Sequence, residues 1–305
     1  MITVAYLLTI VSFPIRSIGW LLGEFPRSVV GFERVTAVLE ATGEMKYGDA
    51  HLDGRSGARL DVDHLAYSYA PGETVLGDVS FSVEPGRTVA LVGATASGKS
   101  TLTSLLTRLV DPDDGAVRVD GTDRRDLAAG ELARSVSVVG QTAFLFDDNV
   151  RDNITLGADI PDEDVWAALR TAQGDGFVAA LPGALDARLG ERGTSLSGGQ
   201  RQRISLARAL VRKPRLLILD DATSAVDPEV EARILGALRG TADGTDTTLV
   251  VVAYRKATIG LADEVIHLRD GRVVDRGTHA DLLLRSPAYA DLVNAYEQQT
   301  AGDEA

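Results

Sequence analysis

Between an apolar run at residues 88–92 and a stretch of helical period at 99–110 lies the segment 93–100, Gly-Ala-Thr-Ala-Ser-Gly-Lys-Ser. No other part of the chain has so little freedom in what it can become. A G-x-x-x-x-G-K-[S/T] loop between a strand and a helix turns backbone N–H groups inward onto an anion, and the helix N-terminus adds a favourable dipole. Lys99 supplies a point charge, and Ser100 a hydroxyl suited to Mg²⁺. The candidate phosphate-binding residues are therefore Gly93, Ala94, Thr95, Ala96, Ser97, Gly98, Lys99, Ser100 and Thr101. Only four of the 31 basic residues are lysines (46, 99, 213 and 256), so a lysine inside a glycine-rich loop stands out.

Two further segments fit around such a loop. Residues 216–220, Leu-Leu-Ile-Leu-Asp, read as a buried strand ending in a carboxylate, and Asp220 could hold a metal or its water beside a phosphate. Ser197, Gly198, Gly199 and Gln200 open a helix running through Arg203, Ala207 and Leu210, so a second set of backbone N–H groups meets a positive helix end. A chain needs one phosphate cradle for its own nucleotide. The second suggests a γ-phosphate supplied by another subunit.

The rest of the pattern sets the fold class. Short alternating runs at 60–69 and 75–83, with turns at Pro71-Gly72 and Pro85-Gly86, predict antiparallel strands. Further buried strands are expected at 136–139, 215–219 and 248–253, and helical stretches fall within 151–189, notably around Val165, Trp166 and Leu169. This alternation predicts an α/β fold, a P-loop NTPase core with a mainly parallel sheet and right-handed crossovers. With 305 residues and 45% hydrophobic content, the chain can bury a real core. The net charge of −13 argues against nucleic acid, and the absence of cysteine excludes disulfides and thiolate metal sites.

Residues 2–22 carry one charge, Arg16, and as a helix could cross a hydrocarbon core about 30 Å thick. Pro14 would only kink it. A signal peptide fits less well, because the positive charge follows the apolar run and no small-residue cleavage site appears. Residues 23–39 turn amphipathic, as in a helix leaving a bilayer, and 43–59 read as a polar, Gly-rich linker.

Together these segments resemble the nucleotide-binding domains of ABC transporters, particularly the exporter type, over roughly residues 60–298. The resemblance implies a helical subdomain inserted at about 148–212, an antiparallel β subdomain, a tail at 299–305, and a partial transmembrane region at 1–42 similar to the last membrane helix of an exporter. It gives Tyr69 the place of the aromatic that stacks on adenine and Gln141 that of the Q-loop glutamine that touches Mg²⁺. Residues 190–193, Gly-Glu-Arg-Gly, look like the segment before the signature, Ser197 to Gln200 are the signature, and Ser224-Ala225-Val226-Asp227 is similar to the D-loop. The implied ligands are ATP and Mg²⁺, the latter at Ser100, Gln141 and Asp220. The implied surroundings are a membrane, a transmembrane domain and a second half-transporter, with the ATP-binding domain on the cytoplasmic side.

Three positions depart from the family. Ala96 replaces a usual glycine, with little loss of binding expected. Asp221 stands where active members carry the glutamate that polarises the attacking water, and one methylene less draws the carboxylate back by about 1.5 Å. Tyr254 stands where the family has its switch histidine; His279, in Gly-Thr-His, reads as structural. That combination resembles the degenerate half of a heterodimeric exporter, whose own site turns over slowly while Ser197–Gln200 complete, in trans, the site of a different chain with intact glutamate and histidine. The alternative is a nucleotide-binding regulatory module without turnover. Soluble ABC proteins of translation or DNA repair would show tandem cassettes or a long coiled-coil insertion, and neither is present.

Overall fold

The structure, a computed structural model, describes residues 2–41, 45–54, 56–239 and 247–303. The first two residues of the expected linker, position 55 within it and the last two of the tail lie outside the described residues. The chain divides into two units, 1–46 and 47–305.

The first unit is one helix, α1 (Ile2–Leu39), of 38 residues with Pro14 and Pro26 inside it. None of its residues is buried. At 1.5 Å per residue it is about 57 Å long, and it contains an 18-residue window of mean hydropathy 1.5, long and apolar enough to cross a membrane. The two stretches read separately from the sequence, 2–22 and 23–39, are thus continuous.

The second unit contains two sheets. Strands β1 (Leu60–Ser68), β2 (Thr74–Val83), β4 (Asp114–Val119) and β5 (Thr122–Asp123) form an antiparallel sheet in the order β2-β1-β4-β5. Strands β3 (Thr88–Val92), β6 (Val136–Val139), β7 (Leu216–Asp220), β8 (Thr248–Val252), β9 (Glu264–Arg269) and β10 (Arg272–Gly277) form the other, in the order β10-β9-β3-β8-β7-β6. All its pairings are parallel except β9 with β10. Every residue of β3 and β8 is buried, as expected for central strands covered on both faces. The pleat then sorts their side chains: Val89 and Leu91 pack with Leu60, Phe81, Leu102 and Ile218. Ala90 and Val92 pack on the other face with Leu217, Ile204, Leu235 and Tyr289.

Helix α2 (Lys99–Leu106) follows β3, and α3 (Glu131–Ser135) precedes β6. Helices α4 (Val150–Thr155), α5 (Asp162–Thr171), α6 (Asp175–Ala179) and α7 (Gly198–Leu210) follow between β6 and β7, the place where a helical insertion is expected. Next come α8 (Pro228–Arg239), α9 (Lys256–Gly260), α10 (His279–Arg285) and α11 (Pro287–Asp303).

Two expectations need correction. The helix foreseen to 110 ends at Leu106, because Arg108 turns left-handed (φ 55°) and Pro112 lies just beyond. The described part of the expected linker from Tyr47 onward is bound to the domain: Gly48 N–H donates to Leu127 O (3.1 Å), Ala50 N–H to Asp126 O (3.0 Å), and the fully buried Ala58 donates to Arg215 O (3.1 Å).

Candidate nucleotide site

The parallel strands β3, β7 and β8 end on the same side of the sheet, where open α/β sheets bind ligands. From β3 the chain enters the 93–98 loop. A side chain at Gly93 would lie 2.2 Å from the carbonyl oxygen of Leu268 in β9, so only glycine fits. Gly98 caps α2 in the left-handed region (φ 99°), where a Cβ would also strike Leu76. Lys99 is buried, and its ammonium donates to Gly93 O, to Ala94 O (2.8 Å) and to Ser97 Oγ (3.3 Å). Burial lowers its pKa, against the opposing pull of Asp220 and Asp221.

Asp220 ends β7 and accepts a bond from Thr103 Oγ1 (3.1 Å). Burial raises its pKa, and its bonds with Thr103 and Ser100 oppose that. Asp221 adopts φ 52°, a region that aspartate tolerates better than most residues. Gln141 Nε2 donates to Asp221 Oδ2 at 3.1 Å. Burial is the main reason that the Asp221 pKa rises to about 6, with Asp220 adding to it. Tyr254, just past β8, presents its ring 5.0 Å from the Lys99 ammonium, and burial pushes its phenol up to about 12. Tyr254 is therefore a neutral donor near pH 7, unable to serve as a base.

A cleft of about 590 Å³ gathers Thr95, Ala96, Gly98, Lys99, Ser100, Thr101, Gln141, Asp221 and Tyr254. The structure thus brings most of the foreseen residues together. Tyr69, 65% exposed, stands beside them with its hydroxyl 3.2 Å from Thr101 Oγ1 and its ring edge-on to Tyr67. Ser197, Gly198, Gly199 and Gln200 do not line the cleft. Ser197 caps α7 in a reciprocal box: its hydroxyl accepts from Gln200 N–H (3.2 Å), and its own N–H donates to Gln200 Oε1 (2.9 Å).

Some residues that organise the site carried no sequence signal. Gln202 donates to Ser224 Oγ (3.0 Å) and to Gln141 O (3.5 Å), and accepts from Ala225 N–H (2.9 Å), tying α7 to the loops after β6 and β7. Arg255 donates to Val226 O and Ser224 O (2.9 Å each) and pairs with the buried Glu231 at 2.6 Å. Tyr296, on α11, donates to Gly93 O at 2.6 Å. His279 bonds to Tyr289 through Nδ1 (2.6 Å), away from the cleft lining.

The potential metal donors, Ser100, Asp220 and the side-chain oxygen of Gln141, are all oxygen, which suits a hard cation such as Mg²⁺. Among the described residues no group of three or more His, Asp or Glu side chains could hold a metal by itself. A hard cation held here would draw the rest of its shell from water or from a ligand's oxygens.

Residues 76–224 match the family described as ABC transporter. The chain is 43% identical over 282 residues to an ATP-dependent lipid A-core flippase of Pseudomonas fluorescens (strain Pf0-1), covering 92% of this chain and 46% of the relative. It is 37% identical over 293 residues to an uncharacterized ABC transporter ATP-binding protein, YwjA, of Bacillus subtilis (strain 168), covering 95% and 50%. Among solved structures, one described as a bacterial Atm1-family ABC exporter with ATP bound is similar with a TM-score of 0.79 at 32% identity, covering 94% of this chain and 50% of that one. The chain spans about half the length of the curated relatives it matches.

Proposed function

The chain carries an ABC transporter domain at residues 76–224, and from that premise we propose that it binds Mg-ATP at Lys99 and, paired with a second such domain, couples ATP hydrolysis to transport across a membrane. The observation that carries the reading is the cleft itself, in which a buried lysine in a glycine-rich loop meets Asp221 and Gln141 at the ends of parallel strands, with Asp220 the last residue of β7 next to Asp221. Lys99 and the loop amides neutralise phosphate, and Ser100, Asp220 and Gln141 would hold Mg²⁺, which would offset further negative charge on the phosphoryl oxygens. Tyr69 offers a ring for the base. In this reading α1, long and apolar enough to cross a membrane, anchors the chain with its ATP-binding domain on the cytoplasmic side, and relatives named as lipid A-core flippases make an amphiphilic lipid the first class of cargo to test.

The partner in this reading is a different half-transporter with an intact glutamate and histidine. Asp221 is short for a water-positioning base and Tyr254 is a neutral phenol, so this chain's own site holds ATP and turns it over slowly; loss of a positioned base costs about 10²–10⁴ in rate. Ser197 and the Gly198 and Gly199 amides cap the γ-phosphate of the partner's site. The same two residues, Asp221 and Tyr254, also favour a second reading, a regulatory module in which ATP joins two chains without turnover.

In a calorimetric titration Lys99→Ala is expected to weaken Mg-ATP binding strongly, and unchanged affinity sinks the reading at its base. In the reconstituted heterodimer Ser197→Arg is expected to abolish ATPase activity, while Asp221→Glu with Tyr254→His raises turnover of this chain's own site modestly. An intact rate in the Ser197→Arg heterodimer overturns the trans role of Ser197, and an unmutated heterodimer that binds ATP without hydrolysing it favours the regulatory reading.

A further inference from the structure

Among the described residues the Gly93 carbonyl has two side-chain donors, the Lys99 ammonium and the hydroxyl of Tyr296, which arrives at 2.6 Å from 203 residues further along the chain. Gly93 is buried, so water cannot replace a lost donor there. The other backbone partner of Lys99 differs in this respect: Ala94 is exposed, and solvent can satisfy its carbonyl. Tyr296 is itself 7% exposed and is fixed by an edge-on contact with Tyr254 (ring centroids 5.4 Å apart), whose ring in turn faces the Lys99 ammonium at 5.0 Å. Lysine, two tyrosines and one carbonyl thus form a closed group between the phosphate loop and α11.

We propose that Tyr296 is a positioning residue of the nucleotide site: its hydroxyl keeps the buried Gly93 carbonyl bonded when Lys99 leaves that carbonyl for phosphate. This rests on the assignment of Lys99 to phosphate. The three N–H groups of the Lys99 ammonium are engaged by Gly93 O, Ala94 O and Ser97 Oγ, so turning toward an anion releases one or more of these bonds, and a buried carbonyl left with no donor opposes binding. With Tyr296 in place the carbonyl remains satisfied in both states, so the phosphates receive the ammonium without that cost. The C-terminal helix α11 thereby belongs to the nucleotide site, although its tyrosine touches no ligand.

Tyr296→Phe removes the hydroxyl and keeps the ring against Tyr254. In the full-length chain in detergent, with Mg-ATP measured by displacement of a fluorescent trinitrophenyl-ATP, this variant is expected to bind about tenfold more weakly, with the melting temperature of the nucleotide-free protein nearly unchanged. The double variant with Lys99→Ala separates positioning from packing. With no lysine to leave Gly93, Tyr296→Phe is expected to change the affinity of Lys99→Ala less than twofold. Equal losses in both backgrounds, or no loss in the Lys99 background, overturn the proposal. If Lys99→Ala alone leaves affinity intact, the phosphate assignment fails first and the proposal falls with it.

Discussion

Ala96 holds a left-handed backbone conformation, φ 65°, in the middle of the phosphate loop. An L residue in that region costs roughly 1–2 kcal/mol, because Cβ crowds the following carbonyl. The Ala96 side chain is exposed, so its methyl group recovers little by packing. Glycine removes the crowding but adds freedom to the unfolded chain, worth about 0.4–1 kcal/mol in the opposite direction. Ala96→Gly is therefore expected to stabilise the domain by about 0.5–1 kcal/mol, or about 1–3 °C in melting temperature for a domain of this size. The same strain is present with and without nucleotide if the loop keeps its shape, so the affinity for Mg-ATP should stay within about twofold. Differential scanning fluorimetry and calorimetric titration of the same preparation read the two quantities separately. A lowered melting temperature would refute the strain argument. A large change in affinity would show that the loop is rebuilt when phosphate enters.

Gly199→Ala is expected to cost about 1–3 kcal/mol and, in the proposed dimer, to lower ATPase activity, since a Cβ there would stand 2.5 Å from the Ala225 carbonyl oxygen; Gly198→Ala, which meets the Ala225 Cβ at 3.2 Å and Arg201 Nη2 at 4.0 Å, should be milder in both assays. Arg255→Gln leaves the buried Glu231 with only the hydroxyls of Thr223 and Thr258 as described donors, and should lower stability to denaturant by about 2–3 kcal/mol. The buried His267 imidazole is held below its ordinary pKa by burial, with Arg269 adding to this. The unfolded chain therefore takes up its proton more readily, and the stability this group contributes is complete above pH 6.5 and lost as pH falls toward the folded value. His267→Phe should flatten that limb in melting curves recorded from pH 7.5 to 5; an unchanged slope would rule His267 out as its source.

The central strand Thr88–Val92 was legible because it is covered on both faces and so reads as a continuous apolar run; the edge strand Val136–Val139 also has the bounds its short apolar run gives it, although Val138 is exposed. Strands β4, β9 and β10 were not read, since Asp114–Val119, Glu264–Arg269 and Arg272–Gly277 mix charged residues into short runs that only sheet partners stabilise. Residues lining the cleft were legible because phosphate chemistry restricts residue type at fixed spacing. The residues that hold those in place were not. Gln202 and Arg255 act through loop carbonyls and amides whose positions depend on the fold, and Tyr296 meets Gly93 across 203 residues. Polar Gly-rich composition at 43–59 suggested a linker, yet its described backbone from Tyr47 onward pairs with the domain by main-chain bonds that composition does not encode.

The carboxamide of Gln202 has consequences for how far the surrounding loops can move. Its nitrogen serves Ser224 and Gln141, its oxygen serves the amide of Ala225, and exchanging the two ends loses the bonds to the Gln141 carbonyl and the Ala225 amide, while the Ser224 hydroxyl can turn to donate. The only slack in the joint is the few tenths of an ångström that a hydrogen bond tolerates. A displacement larger than that at the loop after β6 must either drag α7 and the loop after β7 along with it or break the joint. The three segments therefore meet at one side chain, so that a displacement at Gln141 strains the same carboxamide that holds Ser224 and Ala225.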